Sequence, residues 1–369
     1  MGEKGASYRE AGVDYETLDA GKRAAMTLAA ATSDLLVARG ATPRDDSRGE
    51  PAFVFELAGR EFAFVVEGLG TKSVIARAVL EELGVDRFAD VAYDAVAAIL
   101  GDLACVGALP LVCNAYFATG DAAWYEHEER ARSLIEGWQR ACADAGCTWG
   151  GGESPTLAGL VDPAEIELAG AAVGVVPQGA SALLGEQLAP GDEIVLVAST
   201  GLHANGASLA RRVAAGLARG YATPLADGRT FGEALLDPAP MYARLVSRLH
   251  EISAPVHYHS HITGHGLLKL MRPRRELTYR IDVLPEVPPV LELIVQQSGM
   301  DAEEAHCTLN MGTGWAVYCA AGAGESVVAA AQETGLFALR AGAVEEGPRQ
   351  VILQPLGVTL TGEQLDLAP

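Results

Sequence analysis

Apolar runs broken by glycine, proline and short polar clusters lay out an alternation of strands and helices along the chain. Phe53–Leu57 and residues 62–66 read as two strands joined by a short turn. Residues 73–83 have the spacing of an amphipathic helix, and 93–107, largely alanine and aliphatic, predict a buried one. Residues 111–118 are strand-like. A long helix is expected over 125–145, where Leu134, Trp138 and Cys142 fall four apart on one face. The glycines at 150–152 are expected to close that helix in a loop, before a small-residue strand at 167–176. Upstream, residues 1–50 are polar, with a helical piece over 19–39 and a loop by composition over 40–51.

A boundary is expected at 177–191, dividing the chain into 1–178 and 179–369. Beyond it Glu193–Ala198 reads as a strand and 204–216 and 241–252 as helices. Residues 257–270 run from an extended piece through Thr263-Gly264 into a helix. Segments 289–297, 314–319, 326–334 and Gln350–Leu353 continue the alternation. Helix and strand in both halves predict two domains, α/β and α+β, with no clean repeat.

Composition narrows the function. The 369 residues carry a net charge of −21, which argues against a general nucleic-acid or anionic-membrane surface but leaves room for a small anionic substrate. No run is long enough for a transmembrane helix, and no signal peptide is visible. The six cysteines form no C-x-x-C pair and mostly sit in apolar segments, so a reducing cytoplasm is the simplest location.

Candidate chemistry gathers in a few stretches. In FAFVVEGLGTK (62–72) an apolar run ends in Glu67, then Gly68, Gly70, Thr71 and Lys72. Glycines let a backbone approach phosphates, Lys72 adds charge, and Glu67 could sit near a metal; an ordinary strand-to-helix turn has the same composition. The spacing is not that of a Walker loop. Asp94 and Asp102 lie on one predicted helix, about 80° apart in azimuth and about 12 Å along its axis, so a straight helix cannot give both to one ion. Gly150-Gly151-Gly152-Glu153 suits Mg²⁺ or ribose, or a helix stop. In STGLHANG (199–206) backbone N–H groups suit a phosphate at a helix start, and His203 could neutralise charge or transfer a proton; an N-cap explains the same stretch, since Ser, Thr and Asn all cap helices. His257, His259 and His261 alternate along a strand, and His265 follows, the pattern of a possible metal site that lacks a completing ligand set.

Taken in order, these pieces resemble the phosphoribosylformylglycinamidine cyclo-ligase (5-aminoimidazole ribonucleotide synthetase) family nearly end to end. The matching stretches are YREAGVD (8–14), EGLGTK (67–72), residues 94–110, 116–120, GGES (151–154), STGLHANG (199–206), HITGHG (261–266) and NMGTG (310–314). The resemblance implies a two-domain fold whose N-terminal domain forms a shared β-barrel in a homodimer. It implies ATP held at Glu67, Gly68, Gly70, Thr71, Lys72, Gly151, Gly152, Asn205, Thr263 and Gly264. It implies Mg²⁺ on Asp94, Asp102 and Glu153, with His203 and Asp102 catalytic. The implied reaction is ATP-driven ring closure of formylglycinamidine ribonucleotide, in the cytoplasm, with a small-molecule substrate.

The chain departs from the family pattern more in the substrate half than in the nucleotide loop, where Glu67 replaces an aspartate and keeps its charge. Ala29 stands where the family carries an ATP-site lysine, and Gly101 and Ala115 replace an asparagine and an aspartate. His265 replaces the middle glycine of T-G-G-G, and Lys269-Leu270-Met271-Arg272-Pro273 replaces E-N-I-P-R. A paralogue phosphorylating another amide or oxygen nucleophile, or a non-catalytic nucleotide-binding dimer, is compatible with these changes.

Overall fold

The computed structural model describes residues 15–362, so the motif at 8–14 lies outside the described residues. Two sheets divide the chain. The first has six strands in the order Ala41–Arg44, Phe53–Leu57, Arg60–Gly68, Ile166–Val175, Leu109–Thr119, Thr148–Glu153. All its pairs are antiparallel except the last. The second has seven strands, with Glu193–Ala198 between Ala338–Glu346 and Thr313–Cys319, and Val256–His261 at its edge.

Alternation along Arg60–Gly68 explains how the first sheet is used. Ala63 and Val65 are buried, whereas Phe64 and Val66 are 46% and 66% exposed on the opposite face. Phe64 lies opposite Phe53 and Val173 in neighbouring strands, and Phe55 stacks on Phe62 with centroids 5.9 Å apart. This sheet therefore has one face in the core and one apolar face open.

Helix Phe88–Cys105 covers the inner face. Its expected start at residue 93 moves back to Phe88, because Asp86 accepts a hydrogen bond from the Phe88 N–H at 2.8 Å and begins the turn there. The helix also packs against Tyr242–Glu251 and strand Val256–His261 of the second half. One continuous apolar core thus joins both halves, and a smaller cluster around Tyr258, Tyr279 and Tyr318 fills the far side of the second sheet.

Four local expectations change. The glycine run at 150–152 is not a loop: it lies within strand Thr148–Glu153, parallel to Leu109–Thr119, and a Cβ at Gly152 would run into the Ala115 carbonyl. The supposed loop at 40–51 contains the edge strand Ala41–Arg44, whose Pro43 lacks only a donor that an edge can spare. The helical piece over 19–39 is two helices, Tyr15–Ala30 and Ser33–Val37, with a turn between them. The helix expected after Thr263-Gly264 is a short 3-10 turn, Gly266–Met271, with His265 before it in the left-handed region.

The inner end of helix Lys72–Leu83 carries the most demanding electrostatic contact. Lys72 is fully buried and its ammonium pairs with the Oδ2 of Asp94, also buried. Asp94 Oδ1 accepts the backbone N–H of Ala239 at 2.6 Å, from the second half of the chain. Burial pushes the Asp94 carboxyl up, and the Lys72 ammonium pulls it back. Removing one partner strands a charge in the core. Lys72→Met is expected to lower unfolding stability by about 3–5 kcal/mol in denaturant titrations, and a Lys72→Met, Asp94→Leu double variant to recover much of that loss.

Candidate active site

A cavity of about 470 Å³ opens between the two halves, a size typical of small-molecule sites. Strand Arg60–Gly68 delivers Glu67 and Gly68 to it, helix Phe88–Cys105 delivers Ala98 and Asp102, and helix Tyr15–Ala30 lends Ala25 and Met26. From the second half come Ala204 and Asn205, just ahead of helix Ala207–Gly216, then His261 at a strand end and Thr263 to His265 in the following turn.

Asp102 and His261 form the best-defined pair in the cavity. Asp102 Oδ1 lies 2.8 Å from His261 Nδ1. The carboxylate accepts, so Nδ1 carries the proton and Nε2 is left as the ring's acceptor. The ring packs edge-on to Tyr242 and against Trp315, and the His261 backbone N–H reaches Cys105 Sγ at 3.1 Å. It also lies directly over Gly101, where a Cβ would stand 2.7 Å from Cε1. The glycine that departs from the family asparagine therefore makes the room this imidazole occupies. The sequence shows His261 as one of an alternating histidine series and as the first residue of a motif; its pairing with Asp102 spans 159 residues and leaves no local signal.

Glu67 shares the cavity with Asp102. Burial pushes its carboxyl up, the Asp102 charge adds to that, and the Gly68 N–H at 3.2 Å with His261 and Lys269 oppose it. Two carboxylates on one cavity wall, with phosphate oxygens and water completing the shell, are a donor set Mg²⁺ accepts. The expected metal trio does not assemble. Asp94 is consumed by Lys72 and Ala239, and Glu153 sits exposed on an edge strand outside the cavity wall. Among the described residues no three His, Cys, Asp or Glu side chains converge as a metal site.

The histidine series resolves into separate partnerships. His257 pairs with Asp192 at 2.9 Å, His259 accepts from the Trp315 indole at 3.3 Å, and His261 faces Asp102. A shared metal on this strand is ruled out by these contacts.

His203 lies behind the main cavity, lining a pocket of about 20 Å³ with Asp94, Ala239 and Asn205. Burial, together with Lys72 and His261, holds its pKa well below the usual imidazole range. Its Nε2 accepts the Thr200 N–H at 3.2 Å, so the proton is on Nδ1, a buried atom without a partner. Burial here favours the uncharged ring, which can offer a hydrogen bond, over the imidazolium.

Of the residues expected to hold the nucleotide, Glu67, Gly68, Asn205, Thr263 and Gly264 line the main cavity. Gly70, Thr71, Lys72, Gly151 and Gly152 do not. Thr71 meets Ser208 across the halves at 3.2 Å, and Lys72 is in the core.

The fold defines a two-domain protein with helices and a mostly antiparallel sheet in each half and a cavity between the halves. The AIR synthase related protein, N-terminal domain, matches residues 49–176, and the AIR synthase related protein, C-terminal domain, matches 189–353. A phosphoribosylformylglycinamidine cyclo-ligase of an Anaeromyxobacter species is 38% identical over 76% of this chain and 79% of that protein. One from Symbiobacterium thermophilum is 34% identical over 95% of this chain and 99% of that protein. The chain therefore belongs to the AIR synthase related family of enzymes. Among solved structures, hydrogenase maturation protein HypE in complex with ATP shares the fold with a TM-score of 0.61 and 18% identity, covering 85% of this chain and 88% of that one.

Glu67 generates a prediction with a definite sign. Its folded-state pKa is raised above the unfolded value near 4.3, so its charge weighs against folding once pH exceeds that value. Glu67→Gln should melt higher than the parent at pH 7, and the difference should vanish as pH falls below about 4. Melting curves across that range check it.

Proposed function

We propose that this protein is an ATP- and Mg²⁺-dependent cyclo-ligase that closes formylglycinamidine ribonucleotide to aminoimidazole ribonucleotide, or catalyses a close variant of that reaction. The observation that carries the reading is the convergence of Glu67, Asp102–His261, Asn205 and the Thr263-Gly264 turn on one inter-domain cavity, in a chain whose relatives bear that name.

Each residue takes a role its surroundings permit. Asn205 and the backbone at the start of helix Ala207–Gly216 suit phosphate oxygens. Glu67 and Asp102 would hold Mg²⁺ at the phosphates. Bound ATP would supply the phosphoryl group that converts the formyl oxygen into a leaving group. His261, its Nδ1–H tied to Asp102, offers Nε2 to the proton of the attacking nitrogen. His203 offers its Nδ1–H as a fixed donor at the back of the site. The remaining expected nucleotide residues, Gly70, Thr71, Lys72, Gly151 and Gly152, act in this reading through the fold rather than by contact.

A second reading, transfer of phosphate to a different amide or oxygen nucleophile, is favoured by one feature. The wall facing Glu67 carries His265, Lys269 and Arg272, which alters the polarity of the substrate end.

The open apolar face of the first sheet supports a homodimer built through that sheet. Phe64 and Val66 would be covered by a second copy, as the family barrel requires.

Two measurements follow from this. Purified protein with Mg-ATP should release ADP when formylglycinamidine ribonucleotide is added, with matching aminoimidazole product. Tight ATP binding without product would move the assignment to the second reading. In sedimentation velocity the parent should run as a dimer and a Phe64→Glu, Val66→Glu variant as a monomer; a monomeric parent would refute the shared sheet.

A further inference from the structure

The cavity walls carry opposite charge. Glu50, Glu67 and Asp102 enter from the first half, and His261, His265, Lys269 and Arg272 from the second. Burial pushes the Glu50 and Glu67 carboxyls up, and the positive charge of Lys269, which lines the same cavity, opposes the shift in both. Arg272 Nε donates to the Gly49 carbonyl at 3.0 Å and lies 3.8 Å from Glu50 Oε2, which also accepts the Tyr258 hydroxyl at 2.7 Å. Arg272 borders a second cavity of about 240 Å³ as well, where it joins Arg48, Arg274, Arg275 and Arg349, five guanidiniums against the carboxylates of Asp46, Glu50 and Glu186. In a chain of net charge −21, this is a local concentration of positive charge at one end of the cleft.

His265 adds an independent sign of use. Its φ is 72°, a left-handed conformation in which a side chain is strained and glycine is not. The turn already has a glycine where sterics require one: a Cβ at Gly266 would strike the His306 carbonyl. At 265 the chain instead keeps a buried imidazole on the cavity wall. Strain of this kind persists at sites where the side chain is used.

We propose that His265, Lys269 and Arg272 form a subsite for an oxyanion group, phosphoryl or carboxylate, of a ligand in this cavity, with His265 touching the anion. The proposal deepens, and rests on, the reading of the cleft as the catalytic site. It places the anion where the cleft meets the arginine-lined cavity, away from the Glu67–Asp102 wall.

Inorganic phosphate and acetate, titrated by calorimetry into the full-length protein, are the probes. At least one should bind the parent, and Lys269→Gln and His265→Gly should each weaken that binding tenfold or more. His265→Gly should at the same time raise the melting temperature by about 2–4 °C, because glycine relieves the left-handed strain. A non-hydrolysable ATP analogue separates the two sources of the anion. Unchanged analogue affinity in the variants assigns the subsite to the second substrate, and a matching loss assigns it to the nucleotide's phosphates. The proposal is overturned if neither probe binds the parent, if both variants bind as the parent does, or if His265→Gly melts lower. A protein that binds no analogue yet shows the variant-sensitive anion site would sink the proposed function and leave the subsite standing.

Discussion

The Lys72–Asp94 pair, with the Ala239 N–H on its second carboxylate oxygen, is the constraint on which the rest of the structure depends. Two charges are held in a core with no water to solvate them, so each must keep its partner. Lys72 begins one helix, Asp94 sits early in the next, and Ala239 belongs to the other half of the chain. Satisfying one carboxylate therefore fixes the relation of two helices and two sheets. The inter-domain cavity inherits its shape from that relation, because helix Phe88–Cys105 carries Asp94 into the core and Asp102 into the cleft.

That same helix explains how two aspartates eight residues apart come to serve different ends. The rise and rotation between them point Asp94 at Lys72 and Asp102 at His261. The site is accordingly split by depth. Glu67, Asp102 and His261 face the open cleft, while His203 waits behind them as a neutral donor in a pocket about the size of a water molecule. Glycines supply the clearance: Gly101 beneath His261, and Gly314, where a side chain would collide with the Tyr242 hydroxyl and stand 3.0 Å from His203.

The polarity of the cleft follows from chain topology. The first half ends its strands and helix with carboxylates at the cavity, and the second half brings imidazoles, an ammonium and a guanidinium. A ligand spanning the cleft meets a wall suited to a cation or a metal-bound phosphate on one side and a wall suited to an anion on the other. The basic side is where His265 and the Lys269–Pro273 stretch depart from the family's pattern.

Much was determined by the sequence alone. Period-two and period-3.6 patterns located most of the principal strands and helices, since those patterns record which side chains face the core. The ordered motifs identified the family, because glycines and charged residues at set spacings reflect turns and ligand contacts that the fold reuses. Glu67, Gly68, Asn205, Thr263 and Gly264, singled out on those motifs, line the inter-domain cavity. Tertiary structure alone decided the rest. It put the 150–152 glycines into a strand, since only the close approach of Ala115 shows why they are glycine. It took Lys72 and Asp94 out of the cleft and into the core, and made His261 the partner of Asp102. These outcomes depend on contacts between residues far apart in the chain and on burial, and neither quantity exists until the two halves have closed on each other.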